Sequence, residues 1–312
     1  MSRRRRTRPE PPLPPRDGLG PARVRMPRER SFPTVVAFLV HLTGDEEGVW
    51  RRVRDGEVLL GDGTPVDRRT AYRVGGSVYL YRDLPEEPEV PGELPVLLRD
   101  DDTGLLAVDK PPFLATMPRG SHVEQTVLVR LRRELDLPDL APVHRLDRLT
   151  SGVLLLTTRR EARGAYQRMV QEGGLGKTYE ALAPLPEDLD LPLVVRNRLV
   201  KERGVLQTRV VPGTPNAETL VELAEVVEPG LGRYRLTPTT GQTHQLRVHL
   251  AGLGIPILGD PLYPQVREVA PDDFSAPLQL LAAEVSFTDP LSGAGRHVVS
   301  RRSLPVAVAP GP

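Results

Sequence analysis

Three polar clusters in this chain have residue types and spacings suited to chemistry. The first runs His144-Arg145-Leu146-Asp147-Arg148-Leu149-Thr150-Ser151-Gly152, directly before the apolar stretch Val153–Thr157. A carboxylate flanked by two arginines at the mouth of a buried strand is well placed to stay ionised. In that form it can serve as a nucleophile or a base. Taken alone, a surface turn pinned by an ion pair is the simpler account. The second cluster is Lys177-Thr178-Tyr179-Glu180-Ala181, where a strand tyrosine is ordinarily part of a core. The third is Thr240-Gly241-Gln242-Thr243-His244-Gln245-Leu246-Arg247-Val248-His249-Leu250. Leu246, Leu250 and Leu253 form one helix face, and His244 and Arg247 lie three apart on another. Polar groups near a helix N-terminus can hold an anion, although a capped, solvated helix fits equally well.

The elements that must position these residues follow from hydrophobic periodicity. Strands are expected at 105–108, 153–157, 177–183, 220–227, 234–237, 278–287 and 297–300. Helices are expected at 126–137, at 161–172 and at 244–253, the last capped by Thr243 and closed by Gly254. The strands are not regularly separated by helices, which favours an α+β fold with a mixed, largely antiparallel sheet. Ahead of this domain, at 96–312, a proline- and glutamate-rich linker is expected at 83–95. A small α/β unit is expected at 34–82, with a short helix at 35–42 and strands at 56–60 and 74–81. Residues 1–33, rich in arginine and proline, read as a disordered arm.

Charge is unevenly spread. Residues 1–30 hold ten arginines against three acids, while the remainder holds 32 basic and 38 acidic residues. A basic arm on a mildly acidic body suits a polyanion partner, or serves only as a solubilising tail. The chain has no cysteine, which excludes disulfides, thiolate zinc sites and a cysteine nucleophile. No apolar run is long enough for a membrane span, and no apolar segment follows the leading arginines as in a signal peptide. A cytoplasmic protein is expected.

Together the three clusters resemble the signatures of the RluA family of pseudouridine synthases. His144-Arg145-Leu146-Asp147 with Thr150-Ser151-Gly152 resembles the family's central motif. Val108-Asp109-Lys110-Pro111-Pro112 is similar to its upstream lysine-proline segment, and Lys177-Thr178-Tyr179 to the strand bearing its active-site tyrosine. Gly241–Leu250 followed by Gly254, Pro256, Leu258, Gly259, Asp260 and Tyr263 is similar to its long downstream motif, and 280–290 to its closing strand. These segments keep the family's order across roughly residues 96–300.

The resemblance implies an isomerase that converts a uridine of structured ribosomal or transfer RNA to pseudouridine. It implies Asp147 as the catalytic aspartate, Tyr179 as the ring that stacks on the target base, and Arg247 as the arginine paired with the aspartate. Arg145 would help displace the target nucleotide, and His144, Lys110, Lys177, His244 and Gln242 would contact RNA. The reaction breaks the N1–C1′ bond, turns the uracil and rejoins it through C5. The carboxylate would attack the sugar, attack the base, or remove a proton from the sugar. The base must leave its stack to be reached, and an aromatic ring gives it a surface. No redox change occurs, so neither cofactor nor metal is expected, and the enzyme is expected to be a monomer. Gln242 stands where the family usually has arginine, and Leu281 where a histidine is common. Residues 34–82 resemble an S4 RNA-binding domain through Gly56-Glu57-Val58, the turn at 61–63 and the strand at 74–81, although Asp45, Glu46 and Glu47 interrupt the usual basic helix.

Two other readings compete. A serine hydrolase using Ser151 lacks the G-x-S-x-G elbow. A catalytically inactive RNA-binding protein of the same fold would be signalled by loss of the aspartate, tyrosine or arginine, and all three are present.

Overall fold

A computed structural model of the chain describes residues 11–84 and 86–304. The arginines at positions 3–6 and the tail at 305–312 lie outside the described residues. The chain divides into two compact units, one ending at Glu86 and the other beginning at Glu87.

In the smaller unit, β1 (Ala22–Arg25), β3 (Ser77–Leu80) and β2 (Val58–Leu60) form an antiparallel sheet in the order β1-β3-β2. Two helices, α1 (Val35–Thr43) and α2 (Glu46–Arg54), complete it. Thr34 caps α1 by accepting from the Ala37 N–H at 3.1 Å. Gly44 ends α1 in the left-handed conformation. The acids expected to interrupt a basic helix instead begin α2. Asp45 accepts from the Gly48 N–H at 2.8 Å, and Glu46 and Glu47 occupy the first turn, where negative charge complements the helix dipole. Val35, Phe38, Leu39, Val49, Val58 and Val78 form the core.

The arm is not unstructured through residue 33. Ala22 and Val24 pack against that core while Arg23 and Arg25 point away, a period-two pattern hidden by the arginine-rich composition. Leu13 is buried, and Tyr81 donates its hydroxyl to the Pro14 carbonyl.

The larger unit is built on an eleven-stranded sheet. Its strands are β4 (Val96–Asp100), β5 (Leu105–Lys110), β6 (Ala141–Pro142), β7 (Ser151–Thr157), β8 (Gly176–Pro184), β9 (Leu193–Val200), β10 (Arg209–Val211), β11 (Ala217–Glu228), β12 (Leu231–Pro238), β13 (Leu280–Thr288) and β14 (Gly295–Val299). The order is β10-β9-β11-β12-β8-β13-β7-β5-β4, with β14 on β13 and β6 on β7. Every pairing is antiparallel except that of β13 with β7. The α+β, largely antiparallel architecture expected from the sequence is the one found.

Around β5 and β7 both faces of the sheet are covered. Leu106 and Val108 of β5 face a core completed by α3 (Val127–Glu134) and α5 (Gln245–Gly252), through Leu128, Leu131, Leu246 and Leu250. Leu105 and Ala107 face the opposite side, closed by Tyr166 and Met169 of α4 (Arg163–Gln171). All seven residues of β7 are buried, which explains its nearly continuous apolar sequence. Each buried leucine contributes roughly 1.5–3 kcal/mol relative to exposure.

The linker expected at 83–95 belongs in its second half to the larger unit. The Glu87 carboxylate accepts from the backbone N–H groups of Val123, Glu124 and Gln125, and Val90 is buried in the core. No helix among the described residues is long and apolar enough to cross a membrane.

Candidate active site

Asp147 sits on the turn between β6 and β7, and the backbone on both sides of it is pinned. The Thr116 hydroxyl donates to the Leu146 carbonyl at 2.8 Å and accepts from the Leu146 N–H at 3.2 Å. The Lys110 ammonium donates to the carbonyls of Pro111 and Leu114, each at 2.8 Å, and of Arg148 at 3.1 Å. Lys110 was expected to meet RNA, but it is fully buried at the end of β5. Burial pulls its pKa well down, opposed by the Asp147 charge. Three carbonyl acceptors match three ammonium N–H groups, so the geometry holds it protonated. Its observed contacts anchor the turn from beneath.

Gly152 lets β7 approach β13. Its φ is +106°, and a Cβ there would stand 2.2 Å from the Ala282 carbonyl oxygen. A side chain at this position is excluded, and the parallel β7–β13 junction depends on that. Ser151 is buried and donates to the Leu280 carbonyl at 3.3 Å, so its hydroxyl serves the strand junction.

The turn opens onto a cleft of about 810 Å³. Asp147, Tyr179 of β8, and His244 and Arg247 at the start of α5 all line it. Arg145 is exposed at its rim, and His144, Lys177 and Gln242 also contribute to its wall. Burial, reinforced by the charge of Asp147, raises the Tyr179 pKa, so its ring enters the cleft as a neutral phenol. Burial, with help from Lys177, lowers the His144 pKa to about 3, and its Nε2 accepts from the Leu155 N–H at 3.2 Å. Burial also lowers the Lys177 pKa.

Arg247 is buried beside Asp147 but is held by another acid. Its Nε and Nη2 donate to the two Asp260 carboxylate oxygens at 2.8 and 2.6 Å, whereas its Nη1 is 3.9 Å from Asp147 Oδ2. Burial works against the Arg247 charge, and the Asp260 pair more than offsets it, leaving the pKa raised. Asp260 Oδ1 also accepts from the N–H groups of Leu262 and Tyr263. The preceding Gly259 has φ +73°, and a Cβ there would strike the Pro277 carbonyl oxygen at 2.4 Å. Asp260 and Tyr263 stand in the downstream motif, where their residue types alone imply no role. The Gly259-Asp260 turn was the available signal.

The start of α5 also differs from expectation. Thr243 does not cap it. His244 occupies the N-cap with φ +58°, and Gln245 turns its carbonyl oxygen back to accept from the Thr240 hydroxyl and the Gln242 N–H. His244 Nδ1 lies 2.9 Å from the Tyr263 hydroxyl, and Nε2 lies 3.9 Å from Asp147 Oδ2.

Known proteins share this sequence and fold. A family described as RNA pseudouridylate synthase matches residues 104–252. An uncharacterized RNA pseudouridine synthase of Synechocystis is 34% identical over 222 residues, covering 70% of this chain and 75% of that protein. The dual-specificity RNA pseudouridine synthase RluA of Escherichia coli K12 is 36% identical over 219 residues, covering 67% of this chain and 91% of that protein. Among solved structures, human RNA pseudouridylate synthase domain containing 1 shares the fold with a TM-score of 0.52 at 23% identity, covering 68% of this chain and 86% of its own. With the central motif on a pinned turn and the downstream motif closing the same cleft, the chain belongs to the RluA family of RNA pseudouridine synthases, a family of isomerases.

Proposed function

We propose that this enzyme isomerises a specific uridine of structured ribosomal or transfer RNA, with Asp147 as its reacting carboxylate. The observation that carries this reading is the meeting of Asp147, Tyr179 and Arg247 in one cleft, although they arise from a turn, a strand and a helix. Arg247 supplies positive charge beside the carboxylate, its Nη1 3.9 Å from Asp147 Oδ2. The Tyr179 ring gives the extruded uracil a stacking surface. Arg145, exposed at the rim, takes the place the target base vacates. Lys177, His144, His244 and Gln242 form the wall against which the nucleotide rests.

The smaller unit is proposed as an S4-like RNA-binding domain, supported by its helix pair followed by two short antiparallel strands. The enzyme is proposed to act as a monomer in the cytoplasm. The test is tritium release from RNA carrying C5-tritiated uridine, incubated with purified protein. Release is expected, because rejoining through C5 expels that hydrogen. Stoichiometric RNA binding without release would favour the inactive RNA-binding alternative.

A further inference from the structure

His244 adopts a left-handed backbone conformation at φ +58°, which histidine tolerates better than most residues but at some cost. That conformation places its ring between Asp147 and Tyr263. The Tyr263 hydroxyl accepts from the Thr208 N–H at 2.6 Å. Its own hydrogen then has two acceptors, His244 Nδ1 at 2.9 Å and the Thr208 carbonyl at 3.4 Å. The nearer one makes Nδ1 an acceptor, and in a neutral imidazole that leaves the hydrogen on Nε2. Nε2 faces Asp147 Oδ2 at 3.9 Å, the same oxygen that Arg247 Nη1 approaches at 3.9 Å.

We propose, on the reading of Asp147 as the reacting carboxylate, that His244 is a positioning residue whose tautomer is set by Tyr263. It directs a neutral N–H at Asp147 Oδ2, the oxygen that the charged Arg247 also approaches, leaving Oδ1 as the oxygen that meets the nucleotide.

The charges around the ring suit a neutral donor. Asp147 and Asp260 favour the imidazolium, Arg247 and Lys201 oppose it, and burial outweighs them all, lowering the pKa to about 4. A second full positive charge on Oδ2 would blunt the carboxylate, whereas a neutral donor orients it. At 3.9 Å the imidazole and carboxylate are just beyond a direct hydrogen bond, and they close together when RNA seats.

The test combines single-turnover tritium release with RNA binding for His244→Ala, His244→Gln, Tyr263→Phe and the Ala/Phe double variant. His244→Ala should slow the chemical step about 100-fold at saturating enzyme, over and above whatever RNA affinity is lost with its part of the cleft wall. His244→Gln, which restores an amide N–H, should recover most of that loss. Tyr263→Phe should slow the step about tenfold by releasing the tautomer, yet add nothing in the His244→Ala background. Ring nitrogen NMR of His244 should show hydrogen on Nε2 in the wild type and mixed tautomers in Tyr263→Phe. Should His244→Ala fail to fold, the Gln and Phe variants and the NMR still decide the matter. Wild-type chemistry in the variants, a loss confined to RNA affinity, or independent additive effects would each overturn the role of His244 while leaving Asp147 untouched. No release by the wild type would instead overturn the reading of Asp147, and this inference with it.

Discussion

Arg247 gives its two best-aligned donors to Asp260 and meets Asp147 only at 3.9 Å. The arginine beside the proposed reacting carboxylate is therefore held in place by a second acid. Asp260→Asn should leave a buried guanidinium without its counter-charge and cost about 3 kcal/mol or more. Urea unfolding checks this, and a loss near zero would show that Arg247 finds another partner.

Asp147→Asn keeps the shape of the side chain and removes its charge. Turnover should vanish, while RNA binding stays close to that of the wild type. Tritium release and filter binding separate the two effects, and substantial release by the purified variant would remove Asp147 from its role.

Tyr179 is tested in two steps. Phenylalanine keeps the stacking face, whereas alanine removes it at a cost of about 1–3 kcal/mol in binding. If stacking is its whole role, Tyr179→Phe should match the wild type and Tyr179→Ala should bind more weakly. Slow turnover by Tyr179→Phe with normal binding would assign the hydroxyl a part in proton movement. Equal, unimpaired behaviour of both variants would return the residue to the core.

His249 gives a pH prediction. It is buried between Thr219 and Asn197, and burial lowers its pKa from 6.5 to about 4. The folded state thus holds it neutral while the unfolded chain protonates it near pH 6.5. Its contribution is present above that pH and is lost as pH falls toward 4. At about pH 5 the loss comes to about 2 kcal/mol. His249→Gln should flatten the decline in urea midpoint between neutral and mildly acidic pH, and an unchanged slope would contradict it.

The basic arm requires a shorter truncation than its composition suggests. Because β1 belongs to the sheet of the smaller unit, removing residues 1–30 would damage the fold. Removing residues 1–10 deletes five arginines and no described element. RNA binding should weaken and its salt dependence should flatten, with the modified uridine unchanged. An unchanged salt slope would make the arm a solubilising tail.

The cleft was more legible in the sequence than the supports around it. Asp147, Tyr179 and Arg247 stand in ordered motifs, and the resemblance of those motifs to a known family, rather than the residue types alone, implies their roles. Lys110 was misassigned because a lysine is ordinarily solvated, and only the fold shows three carbonyls converging on it. The role of Asp260 depends on a long-range pairing that no local pattern reports. α2 was missed because its opening acids resembled an interruption rather than a cap. β9 was missed because Arg196, Asn197 and Arg198 dilute its strand signal, although alternate residues face inward along much of its length.

The position of β13 has a consequence for synthesis on the ribosome. Asp147 precedes β7, Tyr179 lies on β8, and β13 is the strand inserted between those two. The turn and the tyrosine are translated more than a hundred residues before the end of β13, yet the sheet that joins them lacks its middle strand until residues 280–288 emerge. A nascent chain halted short of Leu280 would carry every residue assigned to the chemistry while its two halves lack their central seam. The proposed active-site cleft is thus completed late in translation, by a segment that supplies none of the proposed reacting groups.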